Sequence, residues 1–197
     1  MIVLDVETSG TDPNKHSILS LGALDLSNPS NQFYGECRAF DGAHLEEEAF
    51  AVNGFTKESA MNAKKQTEGE LVQAFIAWCD GVNERTLAAQ NVAFDYDFLR
   101  SACERAHINF PFARRTIDIH TLTWTHMRTR GVTPPTEKHH SALSSKEVLA
   151  YVGLPEEAHP HNALTGALWH AEVISRIAYT KKLLPNFETY ETPWLTT

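Results

Sequence analysis

Asp5 and Glu7 stand two residues apart in the run Ile2-Val3-Leu4-Asp5-Val6-Glu7. A β-strand puts residues i and i+2 on one face, so the two carboxylates share a face. Neighbouring carboxylates repel, and burying each costs several kcal/mol unless a counter-charge is present. A divalent cation would supply that charge, and carboxylate oxygens suit Mg²⁺ or Mn²⁺. A short Asp-x-Glu also reads as a solvated strand end facing loops. A second group, Asn91-Val92-Ala93-Phe94-Asp95-Tyr96-Asp97-Phe98-Leu99, follows a strand pattern and opens a helix. There Asp95 is a further oxygen donor, or an acid favoured by the helix dipole. A third group, His159-Pro160-His161-Asn162-Ala163-Leu164, precedes a long helical pattern. A histidine at that point serves as a general base or as a cap-region residue.

The elements that must position these groups are legible in outline. Ile2 to Val6 reads as a buried strand, Ile18 to Leu26 as a second, and Gln32 to Phe40 as a third. Asn28-Pro29-Ser30-Asn31 reads as the turn between the last two. Short connections predict an antiparallel meander. The period then changes: Leu71, Phe75, Ile76 and Cys79 share a helical face within Gly69 to Cys79. A strand over Thr86 to Gln90 and a helix over Asp95 to His107 follow, then a strand over Arg115 to Ile119 and a helix to Arg130. Gly131 to Ser141, with two prolines, predicts an exposed loop holding His139 and His140. Ser144 and Glu147 predict a capping box for a helix ending near Gly153. Asn162 to Leu184 predicts a long helix stopped by Pro185. Strands first and alternating elements after them argue for a mixed sheet with helices on its faces. We assign residues 1–185 to one domain and residues 186–197, with Trp194, to a C-terminal tail that packs on the domain or on a partner.

Composition narrows the function classes. The chain has 197 residues, 42% hydrophobic and 21% charged, as expected of one globular domain. No apolar run approaches the 18 or so residues of a membrane span, and the first residues lack a basic start, so a cytoplasmic protein is expected. The three cysteines fit neither a zinc site nor a disulfide framework and read as free thiols. The net charge is -8, from 17 Lys and Arg against 25 Asp and Glu. Long duplex DNA gripped through its backbone calls for a basic face, so any nucleic-acid contact must be local, short or bridged by metal. Arg114, Arg115, Arg128, Arg130 and Lys138 are the cations available to track a strand, or simply a solvated face.

Taken together and in order, these groups resemble the DEDDh, or DnaQ-like, family of 3'-5' exonucleases. Asp5-Val6-Glu7-Thr8-Ser9-Gly10 is similar to its first motif, D-x-E-T-T/S-G. Ile18 to Ala23 resembles its second strand, and Ala51-Val52-Asn53-Gly54-Phe55-Thr56 its V-H-G-I-T segment. Asn91 to Leu99 resembles the second motif, with Gln90 where histidine is usual. Ile117-Asp118 matches a strand-ending aspartate, and His161-Asn162-Ala163-Leu164 starts the third motif, H-x-A-L-x-D-A. The resemblance implies a ribonuclease H-like α/β fold: a mixed five-stranded sheet, three antiparallel strands then parallel ones, flanked by helices. It implies two Mg²⁺ or Mn²⁺ ions clamping the scissile phosphate. Asp5 would bridge them, Glu7 would bind the ion carrying the attacking water, and Asp95 would support the other. His161 would be the general base. Thr8, Ser9, Asn53 and Phe55 match positions beside the terminal nucleotide, and Asn91 and Phe94 would line the same place. The substrate implied is a single-stranded DNA or RNA 3' end or a short oligonucleotide, and some relatives act as homodimers or with a polymerase.

The third motif breaks at its aspartate. Five residues after His161 stands Gly166, which has no oxygen to offer. The chain is then a degenerate nuclease-like domain that binds nucleic-acid ends or a replication or repair partner without cutting, an altered version of an active enzyme with the ligand removed, or an enzyme in which another group substitutes; an exonuclease with impaired metal binding is the favoured reading. Asp97, Asp118 and Glu172 are the candidates the sequence offers, with His170 one helical turn on but a poor match for a hard ion. Glu172 falls about 240° around the helix from Gly166 and should face away.

Overall fold

The computed structural model describes residues 1–195. Its sheet is built from β1 (Ile2–Thr8), β2 (Ile18–Asp25), β3 (Asn28–Glu36), β4 (Leu87–Ala89) and β5 (Ile117–Asp118), in the spatial order β3-β2-β1-β4-β5. β1 pairs antiparallel with β2, and β2 with β3, whereas β4 runs parallel to β1 and β5 parallel to β4. This is the expected mixed sheet. The helices are α1 (Glu47–Asn53), α2 (Lys57–Ala60), α3 (Glu68–Cys79), α4 (Ala93–Arg105), α5 (Ile119–Thr129), α6 (Ser145–Tyr151) and α7 (Ala163–Tyr179).

The alternation of β1 sorts its side chains between two cores. Ile2, Leu4 and Val6 pack with Phe75 of α3 and Phe98 of α4. Val3 turns the other way, to Val148 of α6 and to Trp169 and Ile174 of α7. Asp5 and Glu7 continue the Val3 phase, so they point to the side that α7 covers. Asp5 sits opposite Gly22 of β2, and a β-carbon at Gly22 would run into the backbone of Ala163 and Leu164. The absent side chain lets the start of α7 lie against the sheet at the level of Asp5.

Several expected boundaries moved. The second hairpin turns at Leu26 and Ser27, and β3 already starts at Asn28, so Asn28 to Asn31 is strand rather than turn. Asp25 decides this: its Oδ1 accepts the Ser27 N–H at 2.9 Å and the Ser27 hydroxyl at 2.7 Å. Pro29 is tolerated because β3 is the sheet edge. α1 and α2 were not expected; they are short, held by Gly54 in the left-handed region (φ 72°) and by a Thr56–Ser59 capping box. The loop over 131–141 contains a small ladder, β6 (Thr136–Glu137) with β7 (His140–Ser141), turning through Lys138 and His139 at positive φ. The three cysteines are buried free thiols, as expected. Among the described residues no helix is long and apolar enough to cross a membrane.

α7 ends at Tyr179, five residues before the expected stop, with Thr180 in the left-handed region. The chain then folds back onto a buried ion pair. Glu172 Oε2 accepts the N–H groups of Leu183 and Leu184 at 2.9 and 3.0 Å, and its Oε1 accepts from Arg176 at 2.7 Å. Arg176, 0% exposed, also donates to the carbonyls of Val152, Phe187, Tyr190 and Glu191. Arg176 therefore anchors the segment after Pro185 to α7. Arg176→Met leaves the Glu172 charge buried without its counter-charge, held only by the Leu183 and Leu184 N–H groups, which costs about 3 kcal/mol. Urea unfolding should show that loss; a change below 1 kcal/mol would contradict it.

Candidate active site

Asp5 lies between two adjoining clefts. The first, of about 370 Å³, is lined by Asp5, Gln90, Glu157, His159, His161 and His170. Asn91, Phe94, Asp95 and Asp118 join Asp5 in lining the second. The elements converge here because parallel strands β1, β4 and β5 all end at this edge, where α4 and α5 start.

The electrostatics of the carboxylates are unusual. Burial holds the Asp5 carboxyl well above its usual range, and the charges of Asp95, Glu7 and Glu157 push the same way. Asp95 is 2% exposed and is raised mainly by burial, against backbone N–H groups that favour its charged form. Its Oδ1 has no hydrogen-bond partner among the described residues. Burial and then Glu157 push Glu7 up to about 7, opposed by the Asn53 side chain. Glu157 is pushed to about 7 by burial, opposed by the Asn162 backbone and His159. No three Asp, Glu, His or Cys side chains stand in a ready ligating arrangement among the described residues. The donor set nonetheless fits a hard divalent cation. It is all carboxylate, an oxygen of Asp95 is unpaired, and no basic side chain is paired with Asp5, Glu7, Asp95 or Glu157 among the described residues.

His161 is held at the mouth by its backbone, which donates to the Val52 carbonyl at 3.0 Å, and its ring stacks on His159 with centroids 4.6 Å apart. Burial and the neighbouring His159 lower its pKa, favouring the neutral ring that a base requires. Asn162 caps α7 by accepting from Leu164 and Thr165 and donates to the Tyr34 hydroxyl at 3.0 Å, which ties the His161 loop to β3.

The other expected site residues divide. Asn91 and Phe94 line the second cleft, with Asn91 at φ 55°. Asn53 is buried and donates to the Thr8 carbonyl at 2.9 Å, so it braces the first-motif strand. Thr8 donates to the Gly10 carbonyl. Ser9 is fully buried, its hydroxyl donating to His44 and accepting from Ser17, which leaves it facing the interior. Phe55 packs against Leu19 and Ala60, with Lys65 Nζ 4.8 Å from its ring centre. Of the later cations, Arg128 lies over Trp124 and Arg130 over Trp194.

The candidate substitutes for the missing ligand do not fill the place of Gly166. Glu172 faces away into its pair with Arg176, as helical phase requires. Asp118 caps α5 and accepts the Val92 N–H, and Asp97 pairs with Arg100. The His170 Nδ1 bonds to the Leu4 carbonyl at 2.9 Å, and burial pushes its pKa down to about 4. Asp5 itself occupies the space beside Gly166: a β-carbon there would overlap its Oδ2 and stand 2.8 Å from its Cγ. Glu157 had no signal in the motif spacing, because it reaches the site from an irregular loop.

The comparisons agree on the fold and the family. The RNase_T family model, described as an exonuclease, matches residues 2–174. Ribonuclease T of Yersinia pseudotuberculosis serotype O:1b is 28% identical over 128 residues, covering 57% of this chain and 60% of that protein. The match thus spans less than two thirds of that relative. The nuclease domain of 3'hExo, a DEDDh family member solved with rAMP, superposes with a TM-score of 0.70 at 18% identity, over 93% of each chain. The E. coli ExoI–ssDNA complex solved with a zinc ion gives 0.69 at 19% identity, over 91% of this chain and 40% of that one. At these identities the two structures establish the fold, a ribonuclease H-like one.

Proposed function

This chain belongs to the RNase_T exonuclease family, within the DEDDh, DnaQ-like group, and on that premise we propose that it is a metal-dependent 3'-5' exonuclease acting on single-stranded DNA or RNA ends. The observation that carries the reading is the buried carboxylate cluster of Asp5, Glu7 and Asp95 with His161 at its mouth. Mg²⁺ or Mn²⁺ held by Asp5, Glu7 and Asp95 would lower the pKa of the attacking water and offset the charge of the phosphate.

The chain's own residues do the rest. A ring nitrogen of His161 takes a proton from the water as its oxygen bonds to phosphorus. The bond from phosphorus to the 3'-oxygen of the preceding nucleotide breaks, and a proton returns to that oxygen. The product is a nucleoside 5'-monophosphate. Asn53 holds the end of β1, and hence Glu7, against movement. Phe55 and Phe94 offer faces on which a terminal base stacks. The charge of -8 favours short single-stranded ends over long duplexes.

Gly166 favours a second reading, in which the chain holds nucleic-acid ends without turnover. One assay separates the two. With 5'-labelled single-stranded DNA and RNA and either Mg²⁺ or Mn²⁺, the first reading expects stepwise shortening and release of 5'-mononucleotides, abolished by chelation. Binding without shortening in both metals would establish the second. His161→Asn should lower the hydrolysis rate by about a hundredfold while leaving Mn²⁺ affinity unchanged. An unchanged rate would remove His161 from the base role.

A further inference from the structure

One carboxylate in the cluster matches no motif position. Glu157 lies between α6 and α7 and lines the same cleft as Asp5 and His161. Its Oε1 is shielded from solvent and has no hydrogen-bond partner among the described residues. Its neighbour Glu156 differs: it is exposed and paired with Lys146 at 2.7 Å. Asp95, 2% exposed, carries a second unpartnered carboxylate oxygen and lines the adjoining cleft, which Asp5 also lines. Buried polar atoms without partners are rare, and two carboxylate oxygens in this state point to a ligand that accepts lone pairs. A hard divalent cation does so.

The shape of the site explains why the extra carboxylate comes from a loop. With glycines at 22 and 166, α7 sits close enough to β1 that the Asp5 carboxylate fills the place of a side chain at 166. A side chain projecting from that turn of α7 would have to displace the Asp5 carboxylate from the position it holds. The space left in the first cleft is approached from the loop before α7.

We propose that Glu157 supplies the carboxylate oxygen that Gly166 lacks, so that Asp5, Glu7, Asp95 and Glu157 together form the cation-binding set. This rests on the metal-dependent reading given above. It makes the chain a member that moved a ligand from a helix to a loop rather than one that lost it.

The test is Mn²⁺ binding by the full chain, followed by calorimetry and by loss of the free-ion paramagnetic resonance signal. Glu157→Gln should weaken Mn²⁺ binding at least about tenfold, and Asp5→Asn should weaken it further. Glu156→Gln should bind as the unsubstituted chain does. Thermal melts without metal check that each variant folds. If Glu157→Gln does not fold, Glu157→Asp, which keeps the charge and shortens the reach, should show the same weakening. Retention of full affinity by the folded Glu157 variant, with loss in Asp5→Asn, would overturn the role of Glu157 alone. Failure of the unsubstituted chain to bind Mn²⁺ would overturn both this role and the metal-dependent reading.

Discussion

Asp5→Asn should lower metal-dependent hydrolysis of single-stranded ends by about a thousandfold, near 4 kcal/mol of transition-state stabilisation. The same substitution should raise the melting temperature of the metal-free protein. Both follow from one placement. Asp5 is the carboxylate on which Asp95, Glu7 and Glu157 all act, and burial adds to their repulsion. Its negative charge is therefore a cost to the folded state without a cation and the attraction for one when it binds. Asparagine keeps the shape, removes the charge and ends both effects. Rate assays in Mg²⁺ and Mn²⁺, paired with melts in chelator, check the two together. A variant that cuts normally would remove Asp5 from the proposed ligand set. A variant that loses activity and also melts well below the unsubstituted chain would mean that Asp5 supports the fold instead.

Gly166→Asp should not restore activity; it should abolish it to about the same extent as loss of Asp5. The motif comparison by itself points the other way, since aspartate is the residue usual at that position. The structure reverses the sign. A β-carbon at 166 would overlap the Asp5 carboxylate before any new oxygen reached the site. Asp5 would have to leave its place, and a further carboxylate would enter a cluster whose charges already repel. Gly166→Ala separates the two causes, because it brings the overlap without the charge. It should also lose activity, despite replacing a mid-helix glycine with a residue that favours helix by roughly 0.5–1 kcal/mol. A gain of activity in Gly166→Asp would mean that α7 moves outward easily, and that Gly166 is a broken ligand position.

Much of this is legible in the sequence. The shared face of Asp5 and Glu7 follows from the two-residue period of a strand, and β1 keeps that period through its buried alternation. The outward phase of Glu172 follows from the helical period alone and ends in its pair with Arg176. The capping box at Ser144 and Glu147 needed only local chemistry. Harder to read were features whose cause is a single side chain or dihedral. Asp25 moves a turn by accepting from Ser27, and Lys138 and His139 reverse a chain through positive φ that neither residue type announces.

Short connections and local periodicity thus determined the order of the first strands, the helices with long apolar stripes, and which acids share a strand face. They did so because those properties depend on neighbours within a few residues. Tertiary structure alone decided that Glu157 enters the cluster, that Ser9 and Asn53 turn inward as braces, and that Gly166 makes room for Asp5. Those outcomes depend on how closely α7 approaches β1 and where the preceding loop closes. Both distances are set by packing between residues more than a hundred positions apart in the chain.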